Sequence, residues 1–421
     1  MNKLKDYWRR WCLCYHENGF RYSVNKTITR IKAKLKNKKL AKNSAAPQPK
    51  KSSAKPSAPS GLSKFPSNPS SLNIGFKIEG GIGDYVIAAN YIYKFKQKYG
   101  IPAMSIDVFY TRGQEAAMGI LGTELADGNF LLDGKIREED LYRRYDLFIR
   151  LSRYPVFVNR NPKKFQMFQP ELITYTQALE KFKWKYSRFF ESGANYDGQA
   201  AMISQIHNVK RIQQGDIDGL LGIKEEYEFP INVRENAEEY LREYGLQPDK
   251  YILVVASADA RYGGASNNKV WPEIYLNQVL RQLKAEYPEY KLVLTGDNPI
   301  RETPLDVDLD LSGKTNFEDV KIIVKNALLL ISNEGGMVHL RHALTDRKSL
   351  VVFGPTDDFF YGYSNNINIR SSVCKNACEW FNKDWFRTCC NPDRKACMWS
   401  VTPGVVMNEI NNFFKEMDSN E

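Results

Sequence analysis

The sequence predicts an α/β fold in which two doubly wound, Rossmann-like domains face a central cleft. From about residue 72 onward, short apolar runs typical of strands alternate with segments of helical spacing. Glycine-containing turns follow several of these strands and open the next helix, and a break near residues 225–245 separates two such series. Strands that alternate with helices build parallel sheets, whose ligand crevice lies at the carboxyl ends of the strands.

Length and composition are consistent with two or three domains and a packed core. The chain has 421 residues, of which 43% are hydrophobic and 13% aromatic. No apolar run approaches the roughly 20 residues that span a bilayer, and the charged N-terminus lacks the apolar core of a signal peptide. We therefore expect a cytoplasmic protein.

The positive charge is confined to an N-terminal tail. Residues 1–64 hold 13 Lys and 4 Arg against two acidic residues, a net charge of +15, so the total of +11 leaves −4 for the rest of the chain. Nucleic-acid-binding domains cluster Lys and Arg on a folded face. The mildly acidic body therefore argues against nucleic acid as a partner of the folded part.

Residues 1–40 form a basic amphipathic tail, and residues 41–71 form a linker. The tail combines Trp8 and Trp11 with many cations, and Ile28, Ile31 and Leu35 share one helical face. This pattern favours an anionic membrane surface, so that the protein would be peripheral at the inner face of the cell membrane. A solvated extension without a partner and a nucleic-acid-binding tail are the alternatives. The linker is rich in Ala, Ser, Pro and Lys, a composition typical of disorder.

The first predicted domain covers residues 72–235. We expect strands at 74–78, 105–110 and 147–151, a helix at 85–98, and helices with loops over 160–205. The second predicted domain covers residues 236–421. Its strands are expected at 251–256, 291–295, 327–331 and 350–353, with helices at 233–244, 271–286 and 317–326 and a terminal helix after Pro403.

The most informative segment is the turn at residues 332–336. It joins an apolar strand to a helix in which Met337, Leu340 and Leu344 recur at helical spacing. Gly335 and Gly336 would place helix-start amides against a phosphate. An acid, Glu334, suits instead the hydroxyl groups next to that phosphate, as on a nucleotide sugar.

Asp84 follows the first predicted strand and the turn Gly80-Gly81-Ile82-Gly83. At the start of a helix facing the crevice, its carboxylate could accept a proton from a sugar hydroxyl. An aspartate in this place also caps a helix, and spacing alone favours the cap.

Further donor-binding candidates lie at strand ends of the second domain. Lys269 precedes a helix with Pro272 near its start and is placed to meet a diphosphate, although most lysines are simply exposed. The remaining candidates are polar or glycine residues that would touch the nucleotide or its phosphates, or would otherwise serve as turn or cap residues: Ser257, Thr295, Gly313, Lys314 and Thr356. His339, inside a helix, is either a packed structural residue or a secondary donor contact.

The cysteines divide between the tail and a C-terminal group. Cys12 and Cys14 lie in the tail, and the group within the segment 374–397 comprises Cys374, Cys378, Cys389, Cys390 and Cys397. Four thiolates at such spacing could bind zinc or iron as a structural metal. Disulfides and free thiols stay open as alternatives, with a metal favoured in a reducing compartment.

Taken together, these motifs resemble the heptosyltransferase-like glycosyltransferases of family nine, which have the GT-B fold. The resemblance covers roughly residues 72–410 and is strongest in the three motifs at 311–315, 333–340 and 352–356. The segments Gly83-Asp84 and Lys269-Val270-Trp271-Pro272 give additional support.

The resemblance implies transfer of a sugar, with heptose as the best-known case, from a nucleotide diphosphate donor with inversion at the anomeric carbon. It implies that Asp84 is the general base, that Lys269 neutralises the donor diphosphate, and that Glu334 contacts the donor sugar where the family usually has Asp. Gly335 and Gly336 would supply amides near the phosphates, with Thr356 beside them. Residues 72–235 would be the acceptor domain and residues 236–421 the nucleotide-sugar domain. The terminal helix would cross back toward the first domain. No cofactor is required for transfer.

The predicted function is therefore an inverting glycosyltransferase that acts on a surface glycan or lipopolysaccharide, with a glycan or lipid-linked acceptor. A non-catalytic nucleotide-sugar-binding scaffold is the alternative from another class. The cysteine group also resembles that of protein-modifying heptosyltransferases, which hold an iron in a cysteine finger, and this makes a protein acceptor a further alternative.

Overall fold

The computed structural model describes residue 65 and residues 68–134, 136–187, 196–216, 218–256, 267–296, 304–382 and 384–419. All of these residues belong to one unit, Pro59–Glu421. The predicted tail and most of the predicted linker lie outside the described residues. The domain boundaries at residues 40, 71 and 235 stay predictions.

The first sheet has the strand order β3-β2-β1-β4-β5. Its strands are β1 (Leu72–Ile78), β2 (Met104–Tyr110), β3 (Gly128–Leu131), β4 (Leu147–Leu151) and β5 (Pro155–Arg160). The three strands predicted in this half are confirmed, whereas β3 and β5 were not predicted. Every residue of β1 is buried, as expected for a strand with helices on both faces of its sheet.

The expectation of purely parallel pairing is wrong at one edge of this sheet. β5 runs antiparallel to β4. Only residues 152–154 connect the two strands, and a parallel crossover needs a dozen or more residues. The short connection forces the chain to reverse, and it leaves Arg153 in the turn at the carboxyl end of β4.

Three helices lie between the strands of the first sheet in the chain, and three more helices follow its last strand. They are α1 (Ile82–Tyr99), α2 (Gln114–Leu121), α3 (Glu138–Tyr142), α4 (Pro162–Phe168), α5 (Glu171–Lys185) and α6 (Tyr196–Ile206), followed by a 3-10 helix at Arg211–Asp216. The predicted first helix is confirmed as α1. Its buried face includes Val86, Ala89 and Ile92, which pack in the core against the sheet.

The second sheet is wholly parallel, with the strand order β11-β10-β9-β6-β7-β8. Its strands are β6 (Tyr251–Val255), β7 (Lys291–Leu294), β8 (Leu309–Asp310), β9 (Leu329–Asn333), β10 (Ser349–Phe353) and β11 (Ile367–Arg370). The four predicted strands are confirmed, although β9 begins and ends two residues later than expected. This order is that of the dinucleotide-binding Rossmann fold.

The helices of the second half are α7 (Ala237–Glu243), α8 (Glu273–Glu286), α9 (Phe317–Asn326), α10 (Gly336–Leu344), α11 (Asp358–Tyr361), α12 (Ala396–Ser400) and α13 (Pro403–Asp418). None of the helices in the described part of the chain combines the length and apolar character needed to cross a membrane.

The terminal helix α13 is present, but the expectation that it crosses back toward the first domain is wrong. Its apolar face, including Val406, Ile410 and Phe413, packs in the core of the second domain. The Phe414 ring stacks on Tyr287 at 4.0 Å between ring centroids. The apolar spacing of α13 matches the outer face of α8, and burial of that face fixes the helix there.

Both sheets reverse their strand order at a point that faces the cleft. In the first sheet the reversal lies between β1 and β4, and in the second between β6 and β9. Loops at the carboxyl ends of strands diverge at such a reversal and leave a crevice. Asp84, Arg153, Lys269 and Glu334 all follow one of these four strands.

The two halves touch where α1 and α10 begin. A Cβ atom added to Gly336 would lie 3.0 Å from the backbone nitrogen of Gly83, and one added to Gly83 would lie 3.2 Å from the Cα of Gly336. Two helix starts approach this closely because neither residue has a side chain. The contact fixes the distance between the two walls of the cleft.

Arg341 anchors the other end of α10. Its fully buried guanidinium donates hydrogen bonds to the carbonyl oxygens of Val324 at 2.7 Å, Ala327 at 2.9 Å and Leu328 at 3.0 Å. Burial lowers the pKa of Arg341 to about 10, so the side chain stays charged at neutral pH. These bonds tie α10 to the start of β9.

We expect Arg341→Met to lower the free energy of unfolding by about 3 kcal/mol or more, because several buried carbonyl oxygens lose their donor. Urea titration followed by circular dichroism measures this change. The matched control is Arg281→Met, whose side chain is 68% exposed and whose loss should cost less than about 0.5 kcal/mol. Equal effects of the two substitutions would contradict the anchoring role.

Candidate active site

The cleft between the carboxyl edges of the two sheets holds two adjoining cavities. Their volumes are about 870 Å³ and 700 Å³. The residues that line both are Gly80, Gly81, Asp84, Arg112, Arg153, Val255, Lys269, Glu334, Gly335, Gly336, Met337 and Trp385. A space of this size accommodates a ligand as large as a nucleotide sugar. The structure thus brings five of the predicted site residues to one place.

Asp84 is both a cap of α1 and a wall of the cleft. Its Oδ2 accepts a hydrogen bond from the backbone N–H of Gly81 at 2.9 Å. Gly80 has φ 143°, and a Cβ atom there would lie 1.9 Å from Oδ2, so only glycine leaves room for the carboxylate. The cap and the position in the cleft are therefore compatible.

Two arginines hold the other oxygen of this carboxylate. Arg211 donates to Oδ1 at 2.8 Å and Arg153 at 3.2 Å. Burial by itself would raise the pKa of Asp84, but the charges of Arg153 and Arg211, together with the N–H of Gly81, hold that pKa below its ordinary value. Asp84 is consequently ionised throughout the neutral range.

Lys269 and Glu334 form an ion pair on the opposite wall. The side chain of Lys269 is 19% exposed and that of Glu334 is 7% exposed, so both charges lie largely out of water. The side-chain oxygen of Asn333 accepts a hydrogen bond from the backbone N–H of Trp271 at 2.8 Å. This bond ties the turn after β9 to the loop that carries Lys269.

Gly335 and Gly336 lie beside this pair at the start of α10. The helix has nine residues, and no side chain caps its first turn. Free amides at a helix start attract an anion, because the helix dipole is positive there. The structure therefore places a lysine and a helix start on the same wall, as the sequence motif predicts.

His339 lies at the contact between α1 and α10 and is buried. Its Nδ1 shares a hydrogen bond of 2.6 Å with the hydroxyl of Tyr363. Burial, with the nearby charge of Arg211, lowers the pKa of His339 to about 3 despite the opposing effect of Asp84. The imidazole is neutral at physiological pH, which fits a packing role with a neutral face toward the second cavity.

Thr295 and Gly313 line the second cavity, whereas Lys314 does not. Thr295 directly follows β7, and its buried hydroxyl has no hydrogen-bond partner among the described residues. Gly313 has φ 65° and donates its N–H to the carbonyl oxygen of Gly296 at 2.9 Å. Lys314 is exposed and donates to the backbone carbonyl of Asp310 at 2.8 Å. Two of these three predicted donor contacts thus face the cleft.

Thr356 is buried outside the walls of both cavities, and Ser257 lies outside the described residues. The hydroxyl of Thr356 has no partner within the described part of the chain. Thr356 follows β10, the strand next to β9, after which Glu334 lies. Its role and that of Ser257 stay predictions.

The five C-terminal cysteines are free thiols in the described structure. Burial raises the pKa of Cys378 to about 12 and that of Cys397 to about 11, and their neighbouring cysteines act in the same direction. Thiols that influence one another in this way share one neighbourhood. Within the described ranges, however, no three Cys, His, Asp or Glu side chains are grouped to hold a metal ion.

Sequence reasoning missed Arg153, Arg211, Trp385 and Phe386. Arg153 follows a predicted strand, so the rule that sites lie at carboxyl ends of strands could have identified it. No pattern in the sequence indicates Arg211 on its 3-10 helix. The two aromatic residues lie in the cysteine-rich segment and reach the cleft only through tertiary packing.

The fold defines the class of protein: two Rossmann-like domains of GT-B type with a cleft between them. Residues 217–385 match the family model described as glycosyltransferase family 9 (heptosyltransferase). The resemblance to heptosyltransferase-like glycosyltransferases of family nine is thus confirmed over that part of the chain.

Individual relatives agree with this assignment. Lipopolysaccharide heptosyltransferase 1 of Campylobacter coli is 28% identical over 116 residues, which are 25% of this chain and 34% of that protein. The match thus spans about a third of the length of this curated relative.

Two solved structures share the fold. The iron-containing heptosyltransferase TibC in complex with ADP-D-β-D-heptose is 13% identical, with a TM-score of 0.53, over 83% of this chain and 77% of that one. TibC from enterotoxigenic E. coli H10407 is 14% identical, with a TM-score of 0.53, over 82% and 77% of the respective chains.

We expect the carboxyl group of Asp84 to titrate below 3.8 in the intact protein, and Arg211→Met to move this titration to higher pH. The substitution removes one of the two charges that favour the ionised form, whereas the burial that favours the neutral form remains. Carbon-13 NMR of labelled aspartates measures the midpoint, with Asp84→Asn to assign the signal. The control is Arg137→Met, which removes an exposed arginine and should leave the midpoint of the Asp84 titration unchanged. An unchanged midpoint in Arg211→Met would show that Arg211 does not act on Asp84.

Proposed function

We propose that the protein is an inverting glycosyltransferase that moves a sugar from a nucleotide diphosphate donor to a surface glycan or lipopolysaccharide acceptor. Heptose is the sugar favoured by the relatives, since TibC is described in complex with ADP-D-β-D-heptose. The family model and the curated lipopolysaccharide heptosyltransferase support the reaction class.

One observation carries this proposal: an ionised carboxylate and a lysine beside a helix start face each other across one cavity. The carboxylate is Asp84 of the first domain, and the lysine is Lys269 of the second. Inverting transfer needs a base on the acceptor side and stabilisation of charge on the leaving side. The two walls supply one group each.

The reaction follows from these positions. The acceptor hydroxyl oxygen attacks the anomeric carbon from the side of Asp84, which takes up the hydroxyl proton. The bond between the anomeric carbon and the diphosphate oxygen breaks on the opposite face, so configuration inverts. Lys269 and the amides at Gly335 and Gly336 stabilise the charge that develops on the leaving nucleoside diphosphate.

The residues that line each cavity also indicate where the donor and the acceptor would bind. Thr295 and Gly313 line only the second cavity and suit the nucleoside. Arg150 and Lys183 line only the first cavity, on the acceptor domain. An acceptor that carries negative charge fits a wall with these cations and Arg153, which is consistent with a lipopolysaccharide core.

We expect Asp84→Asn to lower turnover by about 10²- to 10⁴-fold with donor affinity nearly unchanged, because only the proton acceptor is lost. Lys269→Met should weaken donor binding and also lower turnover by about 10²- to 10³-fold. Calorimetry with nucleotide sugars measures binding, mass spectrometry of mixed glycan and lipooligosaccharide acceptors measures transfer, and proton NMR of the product reports the anomeric configuration.

The matched controls are Asp140→Asn and Lys348→Met, which change an ion-paired aspartate and an ion-paired lysine that do not line the two cavities. Full turnover of Asp84→Asn would remove the proposed base. Donor binding by the wild type without any transferred or hydrolysed product would favour a non-catalytic nucleotide-sugar-binding protein. Transfer to a polypeptide instead of a glycan would favour a protein-modifying enzyme.

We also propose that the basic tail brings the enzyme to an anionic membrane surface on the cytoplasmic side. The support is the charge of +15 over residues 1–64 and the aromatic residues among the cations. An acceptor anchored in a membrane is used efficiently by an enzyme that is held next to it.

A metal at the C-terminal thiols stays a prediction. The donor chemistry of five cysteines fits zinc or iron, and TibC is described as iron-containing. As placed in the described structure, the thiols do not form a three-ligand group, so no catalytic step is assigned to a metal.

We expect protein purified without chelators to carry about one zinc or iron ion per chain, measured by plasma mass spectrometry, and Cys378→Ser to lose it. The control is the pair Cys12→Ser and Cys14→Ser in the tail, which should keep the metal. A metal-free wild type in which all thiols react with a thiol reagent would contradict the metal.

A further inference from the structure

Trp385 of the cysteine-rich segment lies against the reacting part of the cleft. The residue is 8% exposed, and it lines both cavities. The ammonium nitrogen of Lys269 lies 5.4 Å from the centroid of its ring and 6.0 Å from that of Tyr361. The indole is therefore next to the place where Lys269 and Glu334 meet a ligand.

The backbone at Trp385 is tied directly to the loop that carries Lys269. The side-chain amide of Asn268 donates to the carbonyl oxygen of Trp385 at 2.8 Å, and the backbone N–H of Asn268 donates to that of Phe386 at 2.9 Å. Asn268 is buried and directly precedes Lys269. Since both bonds come from one residue, they hold the backbone at Trp385 next to the backbone at Lys269.

A second attachment fixes the segment from the other side. Glu379 is fully buried, and its carboxylate accepts from the N–H of Asp357 at 2.9 Å and from the hydroxyl of Tyr361 at 3.1 Å. The segment is thus bound to two loops of the second domain. An aromatic ring held in this way is pre-organised, and it loses little freedom when a ligand binds.

The position along the cleft indicates what the ring would contact under the proposed function. The nucleoside would lie toward Thr295 and Gly313, which line the second cavity alone, and the acceptor toward Lys183, which lines the first. Trp385 lines both cavities, so the diphosphate and the sugar attached to it would lie next to its ring. One face of a sugar ring consists of C–H groups, and such a face packs well on a flat, rigid aromatic surface.

We propose that Trp385 packs against the transferred sugar of the donor and determines which sugar the enzyme accepts. This inference rests on the proposed glycosyltransferase function and deepens it, because it assigns the sugar subsite to the cysteine-rich segment. The nucleotide is held by other residues, so its affinity does not depend on the indole.

The test compares donors with their bare nucleotides. Calorimetry is run on the full chain with ADP-heptose, ADP-glucose, UDP-glucose and GDP-mannose, each paired with ADP, UDP or GDP. For the donor that the wild type binds best, Trp385→Leu should raise the Kd about tenfold, and Trp385→Phe should raise it less. In both variants the Kd of the bare nucleotide should change less than about twofold. Differences in affinity among the sugars should also narrow in Trp385→Leu.

The matched control is Trp184→Leu. The Trp184 residue on α5 is 78% exposed, and its replacement should change neither the Kd of the donor nor that of the bare nucleotide. Unchanged affinity for the bare nucleotide shows that Trp385→Leu is folded. Equal weakening of donor and nucleotide would place the ring on the nucleoside and overturn the inference alone. A wild type that binds none of these donors would contradict the proposed function and the inference together.

Discussion

The contact between the starts of α1 and α10 sets the geometry on which the site depends. Gly83 and Gly336 meet across it, and any side chain at either position would push the two helices apart. Each helix carries one half of the site in its first turn or directly before it: Asp84 in α1, and Glu334 before α10. The separation of the segments that carry Asp84 and Glu334 is thus set by backbone packing, which is stiffer than contacts between flexible side chains.

The two arginines next to Asp84 have two opposing effects on it as a base. Arg153 and Arg211 keep Asp84 ionised, and they also make it a weaker base, since a lowered pKa reduces the driving force for proton uptake. Under the proposed function, a weak base suffices because the bond that forms between the hydroxyl oxygen and the anomeric carbon makes the hydroxyl proton acidic, and the carboxylate then takes up that proton. The same arginines present positive charge to the cleft, which would also attract the negatively charged acceptor that we propose.

On the second-domain wall, Glu334 partly neutralises Lys269 before any ligand binds. The glutamate is one methylene longer than the aspartate usual in the family that the sequence resembles. Under the proposed function, an arriving diphosphate competes for Lys269 with a carboxylate that is already largely out of water. Donor binding would then release Glu334 toward the hydroxyls of the sugar.

The sequence could predict those features whose determining residues lie close together in the chain. The inner strands of both sheets, α1 and the turn around Glu334 are encoded by apolar runs and glycines that lie next to one another in the chain, and they were predicted. β5 was missed because its direction depends on the length of a three-residue turn and not on its own composition. Arg211 and Trp385 reach the cleft only through packing of segments more than 100 residues from Asp84 and Lys269, respectively. Because the site lies between two domains, such residues have no pattern in the neighbouring sequence. The site residues next to glycine turns could therefore be predicted, whereas those that distant segments contribute could not.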